Sequence, residues 1–275
     1  MPVNAEPANS EPDGAPEASV DDVWLREDVA SALDGRAPFA VLPALPGVDA
    51  RAVARRRTTR VELAGKAFYL KLHGGVGWGE LFKNWLTFKA PVVSARNEFD
   101  ACRSLAQLGI RAPVVAAFAA RGRSPADIES FVLTDEITGH TTLEDLADTR
   151  PLTGLERHRL VTAVADFTRA FHGAGFIHRD YYICHLWLED GTLADKPALT
   201  VIDLHRARRF ARIPNRYLVR DLGALLFSVP PAQLTLRSQL RFLRRYRQRP
   251  LREILREEGA LWRAVRDRAA TLARR

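Results

Sequence analysis

The chain has 275 residues, 47% of them hydrophobic, and carries 41 Lys and Arg against 33 Asp and Glu, a formal excess of +8. That length and apolar content support one two-lobed domain or two small ones, and they exclude an intrinsically disordered or collagen-like chain. Two cysteines, Cys102 and Cys184, exclude a disulfide framework and fit a reducing compartment, and the longest uncharged stretch, Leu222 to Leu236, has 15 residues and two prolines, short of the roughly 18 to 20 that span a bilayer.

Residues 1 to 22 hold six acids, no Lys or Arg and few large apolar side chains, so they read as a disordered acidic tail and lack the cationic start of a secretory signal. Thr58 to Leu63 and Ala67 to His73 are β-type runs around Ala64-Gly65-Lys66, which predicts a hairpin whose second strand carries Lys71. Gly74 to Ala90 mixes glycines with Trp78, Phe82, Trp85 and Phe88 beside Lys83 and Lys89, a pattern open to a lid, an interfacial anchor or a core helix. From Ser94 to Leu108, Phe99, Cys102, Leu105 and Leu108 recur every three or four positions and predict an amphipathic helix with Glu98 early in it.

Ser130 to Ile137 reads as a further strand, followed by a polar hinge at Thr138 to Thr142. Leu155, Leu160, Val161, Val164, Phe167 and Phe171 define a long helix stopped by Gly173 and Gly175. Phe176 to Leu188, a turn at Glu189 to Thr192, a strand Ala198 to Leu204 and Arg-rich helices complete the chain. Strands in the first half and helices in the second predict an α+β fold, with a β-rich lobe over 23 to 138 and a helical lobe over 139 to 275. The basic pole lies at the end: Gln233 to Arg275 holds 13 Arg and four acids. Such a surface would attract nucleic acid, anionic lipid, an acidic glycolipid or an acidic protein, or would simply be a solvated helix face.

The chemistry concentrates in Phe171-His172-Gly173-Ala174-Gly175-Phe176-Ile177-His178-Arg179-Asp180, then His185, then Val201-Ile202-Asp203-Leu204-His205. An exposed His-Arg-Asp loop places Asp180 where it can accept a proton from an incoming hydroxyl. Asp203, at the end of an apolar strand, suits Mg²⁺ held against phosphate oxygens. Lys71, flanked by apolar residues, needs a partner, and Glu98 or a phosphate can supply one. Lys, Glu, Asp, Asp is the chain order of kinases. A zinc site built from His172, His178, Cys184 and His185 fits no common spacing.

The segments Arg56-Arg57-Thr58, Ala64-Gly65-Lys66, Phe68-Tyr69-Leu70-Lys71, His178-Arg179-Asp180-Tyr181-Tyr182-Ile183-Cys184-His185 and Val201-Ile202-Asp203-Leu204-His205-Arg206-Ala207 closely resemble those of the lipopolysaccharide core heptose(I) kinases, within the protein-kinase-like fold. The resemblance runs from about Pro38 to the C-terminus and implies a bilobal kinase-like architecture. It implies transfer of the γ-phosphate of ATP, with Mg²⁺, to the 4-hydroxyl of the first heptose of the inner core, at the inner face of the inner membrane. By position, Lys71 would hold the α- and β-phosphates with Glu98 as its partner, and Asp180 would be the base or orienter. Asp203 would ligate Mg²⁺, with His185 as a second metal ligand or a loop brace. The backbone near Asp135, Glu136 and Ile137 would hold adenine, and Asp221 would brace the catalytic loop.

No GxGxxG precedes Lys71, so phosphate covering would fall to the backbone between Thr58 and Lys66, with Lys66 assisting. The strand motif reads Asp-Leu-His, and no Ala-Pro-Glu follows, so no phosphorylation-switched segment is expected. Expected partners are the core glycolipid, the membrane surface and an acidic protein such as acyl carrier protein docking on the Arg-rich end; no nucleic acid is expected. The competing readings are a phosphotransferase for a soluble acceptor such as an aminoglycoside, and a non-catalytic basic scaffold.

Overall fold

The computed structural model describes residues 22–53, 56–74, 94–122 and 127–274. Most of the Gly74 to Ala90 segment lies outside the described residues, as do residues 1 to 21 of the acidic tail. A six-stranded antiparallel sheet forms the N-terminal lobe: β1 (Asp22–Leu25), β2 (Gly47–Val53), β3 (Arg56–Leu63), β4 (Lys66–His73), β5 (Val115–Arg121) and β6 (Glu129–Asp135), in the spatial order β1-β5-β6-β4-β3-β2. The hairpin turn between β3 and β4 has Ala64 and Gly65 both at positive φ, 50° and 75°. That geometry matches the right-handed twist of the strands it joins and favours glycine at its second position.

Alternation along β4 sets the two faces of the sheet. Phe68 and Leu70 pack with Phe131, Leu133, Val61 and the residues Val29 and Leu33 of helix α1 (Glu27–Leu33), forming one core. Lys71 falls on the opposite face, where α3 (Arg96–Gln107) lies; a short helix α2 (Pro38–Val41) precedes it in the chain. Helix α3 buries Phe99, Cys102 and Leu105 at the spacing read from the sequence, and also buries Glu98.

The C-terminal lobe contains α4 (Leu143–Thr149), α5 (Gly154–Gly173), α6 (Asn215–Ser228), α7 (Leu236–Arg247) and α8 (Leu251–Ala273). Thr153 and Glu156 close a capping box at the start of α5, each side chain satisfying a backbone N–H of the other. Two small antiparallel elements carry the loops between the lobes: β7 (His140–Thr142) with β9 (Leu186–Glu189) and β10 (Leu199–Val201), and β8 (Phe176–Ile177) with β11 (Arg208–Arg209). One continuous core joins α3 and the sheet to the C-terminal lobe through Phe99, Phe118, Phe171, Tyr181, Leu186 and Leu204. This is the bilobal α+β arrangement expected from the sequence. The strand read as Ala198 to Leu204 is shorter, because Asp203 turns into the left-handed region at φ 59°.

Candidate active site

Three chain segments meet on the α3 face of the sheet. Lys71 comes from β4, Glu98 from the first turn of α3, and Asp203 from the bend after β10. The Lys71 ammonium is in direct contact with the Glu98 carboxylate, whose side chain is fully buried, and its Nζ lies 3.8 Å from Asp203 Oδ1. A buried carboxylate persists only when a cation offsets its lost hydration, so each of this pair accounts for the other. Burial first, and then the neighbouring Glu98 charge, push the Cys102 thiol far above its ordinary range.

Asp180 follows Arg179, whose backbone is held at φ 76°. Fully buried Asp221 of α6 supports that conformation: its two oxygens accept the N–H groups of His178 and Arg179 at 2.6 and 2.8 Å. Arg220 Nε donates to the Arg179 carbonyl at 3.0 Å. His178 is equally constrained. Its Nε2–H donates to the Ile202 carbonyl at 2.8 Å, and its Nδ1 accepts the Asp180 N–H at 3.3 Å, which makes it a neutral bridge between the two acidic loops. Desolvation, the largest cause, holds its pKa below the histidine norm.

His185 Nδ1–H donates to the Asp180 carbonyl at 2.7 Å, and this leaves the Nε2 lone pair 3.7 Å from Asp203 Oδ2. The other oxygen, Oδ1, accepts from His205 Nδ1 at 2.7 Å. A divalent ion with bonds of about 2.1 Å can touch both His185 Nε2 and Asp203 Oδ2 across such a gap. Among the described residues no three His, Cys, Asp or Glu side chains form a self-contained metal site. Mg²⁺ typically takes one or two protein ligands and completes its shell with phosphate and water, so this donor set fits that ion only alongside a nucleotide.

The structure therefore brings Lys71, Glu98, Asp180, His185 and Asp203 together. Lys66 stands apart: it opens β4 five residues before Lys71, roughly 16 Å along an extended strand, and its ammonium pairs with Asp28 at 2.9 Å. The Ala64-Gly65 turn lies at that same far end of the strand. The end of the sheet nearest Lys71 is where β2 and β3 pair Val53 with Arg56, and Arg56 in turn pairs with His73. The backbone expected to cover phosphates between Thr58 and Lys66 thus approaches Lys71 only at Thr58, its direct cross-strand partner.

At the connection between lobes, the Glu136 side chain is bound through both oxygens by Arg60, at 2.7 and 2.9 Å. Its N–H donates to Ala67, and the Asp135 N–H donates to Val114. The Ile137 backbone has no such partner among the described residues, so it is the part of the predicted adenine contact that stays open to a ligand.

Besides Arg60 on Glu136, sequence reasoning missed two further arginine partners. Arg206 Nη1 donates to both oxygens of Asp180, at 2.9 and 2.8 Å. Arg26 grips Asp135 through two nitrogens, both at 2.8 Å. Arg206 lay in view within Ile202-Asp203-Leu204-His205-Arg206-Ala207, but an arginine in an Arg-rich chain signals no particular partner. Arg26 and Asp135 are 109 positions apart, and no local pattern links them.

Comparison with known proteins agrees with this geometry. The model of the lipopolysaccharide kinase (Kdo/WaaP) family matches residues 46–246. The lipopolysaccharide core heptose(I) kinase WaaP of Pseudomonas aeruginosa PAO1 is 43% identical over 243 residues, 86% of this chain and 90% of that protein. Its counterpart from Escherichia coli is 36% identical over 92% of this chain and 97% of the relative. A solved structure, WaaP in complex with acyl carrier protein, superposes with a TM-score of 0.78 at 36% identity, covering 91% of this chain and 99% of that one. Matched by the family model over residues 46–246 and 36–43% identical to these heptose(I) kinases over most of its length, the chain belongs to the lipopolysaccharide kinase family.

Proposed function

We propose that this protein is an ATP-dependent sugar kinase that phosphorylates the first heptose of the lipopolysaccharide inner core, at the 4-hydroxyl. The single observation that carries the reading is the convergence of Lys71, paired with buried Glu98, to within 3.8 Å of Asp203 in a member of this family. Lys71 holds the donor phosphates, and Glu98 fixes where its ammonium stands. Asp203 and His185 are the residues that would hold Mg²⁺, and the ion would supply positive charge against the donor phosphates. Asp180 accepts the hydroxyl of the acceptor; with Arg206 spanning both its oxygens, it serves foremost to orient that hydroxyl for in-line attack. The Ile137 backbone faces the adenine.

An acyl carrier protein is proposed as a partner. The solved relative was captured with one, and here α7 and α8 carry most of the arginines of the basic end. Those helices also wall an apolar cavity of about 490 Å³, lined by Leu160, Val161, Leu226, Leu240, Phe242 and Trp262, which suits an acyl chain. No described helix is long and apolar enough to cross a membrane. The same basic end supports peripheral attachment to anionic lipid at the inner face of the inner membrane.

Mass spectrometry of core oligosaccharide from cells lacking the protein tests the reading. One inner-core phosphate should be missing, restored by the wild-type gene and not by Asp180→Ala. An unchanged core phosphate content would overturn it.

A further inference from the structure

Next to the loop that carries Asp180 stand arginines that the phosphoryl-donor site does not use. Arg179 is half-buried, and its Nε is a buried donor with no hydrogen-bond partner. Arg208 lies close by, because β11 pairs with β8 so that Arg208 sits opposite Ile177, two residues before Arg179. Arg216 and Arg220 occupy one face of α6 a single turn apart, and Arg220 already touches the Arg179 carbonyl. Arg216 stacks over Tyr217 at 4.7 Å, and that ring rests on Phe210 at 5.0 Å, which fixes the outer edge of the group.

Among the described residues none of these four guanidiniums forms an ion pair with a carboxylate, whereas Lys71, Arg206 and Arg247, half-buried like Arg179 and Arg220, each do. Asp180 is the acid whose charge acts on Arg179, and Arg206 already donates to both of its oxygens. Burial, then the charges of Arg206, Arg220 and Arg208, depress the Arg179 pKa. Half-buried Arg179 and Arg220 and exposed Arg208 and Arg216 concentrate positive potential near the start of α6, to which the helix's own N–H groups add, and a bound anion would offset it.

We infer that Arg179, Arg208, Arg216 and Arg220 form an oxyanion site beside Asp180, which takes a carboxylate or phosphate carried by the acceptor glycolipid next to the hydroxyl being phosphorylated. The inference rests on the sugar-kinase reading and adds to it a basis for acceptor choice: a neutral sugar cannot engage this cluster, whereas an acidic saccharide is both held and oriented. Arg206 then aligns the orienting acid while its neighbours align the substrate.

The test uses Arg208→Gln, Arg216→Gln and the double variant, because these two side chains are exposed and make no contact with the catalytic loop's backbone. Steady-state transfer from ATP to core glycolipid purified from cells lacking the protein is measured with untreated, carboxyl-reduced and dephosphorylated acceptor. Each variant should raise the acceptor KM about tenfold, the usual effect of one lost hydrogen bond to a charged group, with the ATP KM and the thermal midpoint unchanged. Whichever acceptor treatment removes the recognised anion should raise the wild-type KM to the same extent and have little further effect on the double variant. That identifies a sugar carboxylate or a phosphate as the source. An unmoved acceptor KM in the double variant, or a wild-type KM indifferent to both treatments, overturns the oxyanion site and leaves the kinase assignment standing. If the wild type labels no core glycolipid, the sugar-kinase reading falls and the oxyanion site falls with it.

Discussion

Replacing Asp221 by asparagine keeps the volume of a fully buried side chain but changes one of its two acceptors into a donor. In the native protein both carboxylate oxygens accept backbone N–H groups, at 2.6 Å from His178 and 2.8 Å from Arg179. In the variant one of those N–H groups loses its acceptor and faces an NH₂. Breaking a hydrogen bond to a charged group so that a buried N–H is left unpaired costs up to about 3 kcal/mol, and a loss near 3 kcal/mol is expected. For a chain of this size each kcal/mol moves the thermal midpoint by about 2–4 °C, which gives a fall of about 6–12 °C. Circular dichroism melting measures this directly, and kcat should fall at least tenfold because the same two N–H groups fix the backbone on which Asp180 stands. Asp166→Asn is the control: its bond to Arg245 is on the surface, and its loss should cost less than about 1 kcal/mol. A variant Asp221→Asn that melts within about 2 °C of wild type with unchanged kcat would refute the claim that these two bonds hold the catalytic loop.

Glu98→Gln removes the buried counter-ion of Lys71 and frees the ammonium to move onto Asp203, 3.8 Å away; kcat/KM for ATP should fall about 10- to 100-fold in steady-state assays, and an unchanged value would dismiss the ion pair as a positioning device. Gly175 stands at φ 85°, and a Cβ there would fall on the Phe210 carbonyl oxygen, so Gly175→Ala should destabilise by about 2–5 kcal/mol in urea titration. His178, its folded pKa below the ordinary value, stays neutral while the unfolded chain takes up a proton. Its share of stability is complete above about pH 6.5 and is lost as pH falls toward the folded pKa, with a slope of up to about 1.4 kcal/mol per pH unit. His178→Gln should flatten that part of a denaturation-against-pH profile.

The parts of the site that were legible in the sequence are those written in consecutive residues. The His-Arg-Asp loop, the Asp-Leu-His bend and a lysine between apolar neighbours each carry their chemistry within a few positions. Helix α3 was legible because Phe99, Cys102 and Leu105 recur at its period, which also placed Glu98 on its first turn. Strands β1, β2 and β5 were not anticipated, and nor was α1. The strand β5 reads Val-Ala-Ala-Phe-Ala-Ala-Arg, and alanine has little strand preference; the sheet forms there because Ala117 and Ala119 are buried against the α1 core. Lys66 looked like a phosphate ligand because the hairpin ending at it was read as the phosphate cover in place of a glycine-rich loop, but an extended strand converts the five positions to Lys71 into a separation that no side chain spans. The braces of the site were the least visible part. Arg206 on Asp180, Arg26 on Asp135 and Arg60 on Glu136 join segments that only the folded chain brings together.

Transfer of label from γ-³²P ATP to core glycolipid purified from cells lacking the protein, by wild type and by Asp180→Ala side by side, addresses the central claim most directly. The account predicts Mg²⁺-dependent labelling by the wild type and a loss of at least about 10²-fold in the variant, the effect of losing a group that positions the reacting hydroxyl. Equal labelling by both proteins would contradict it.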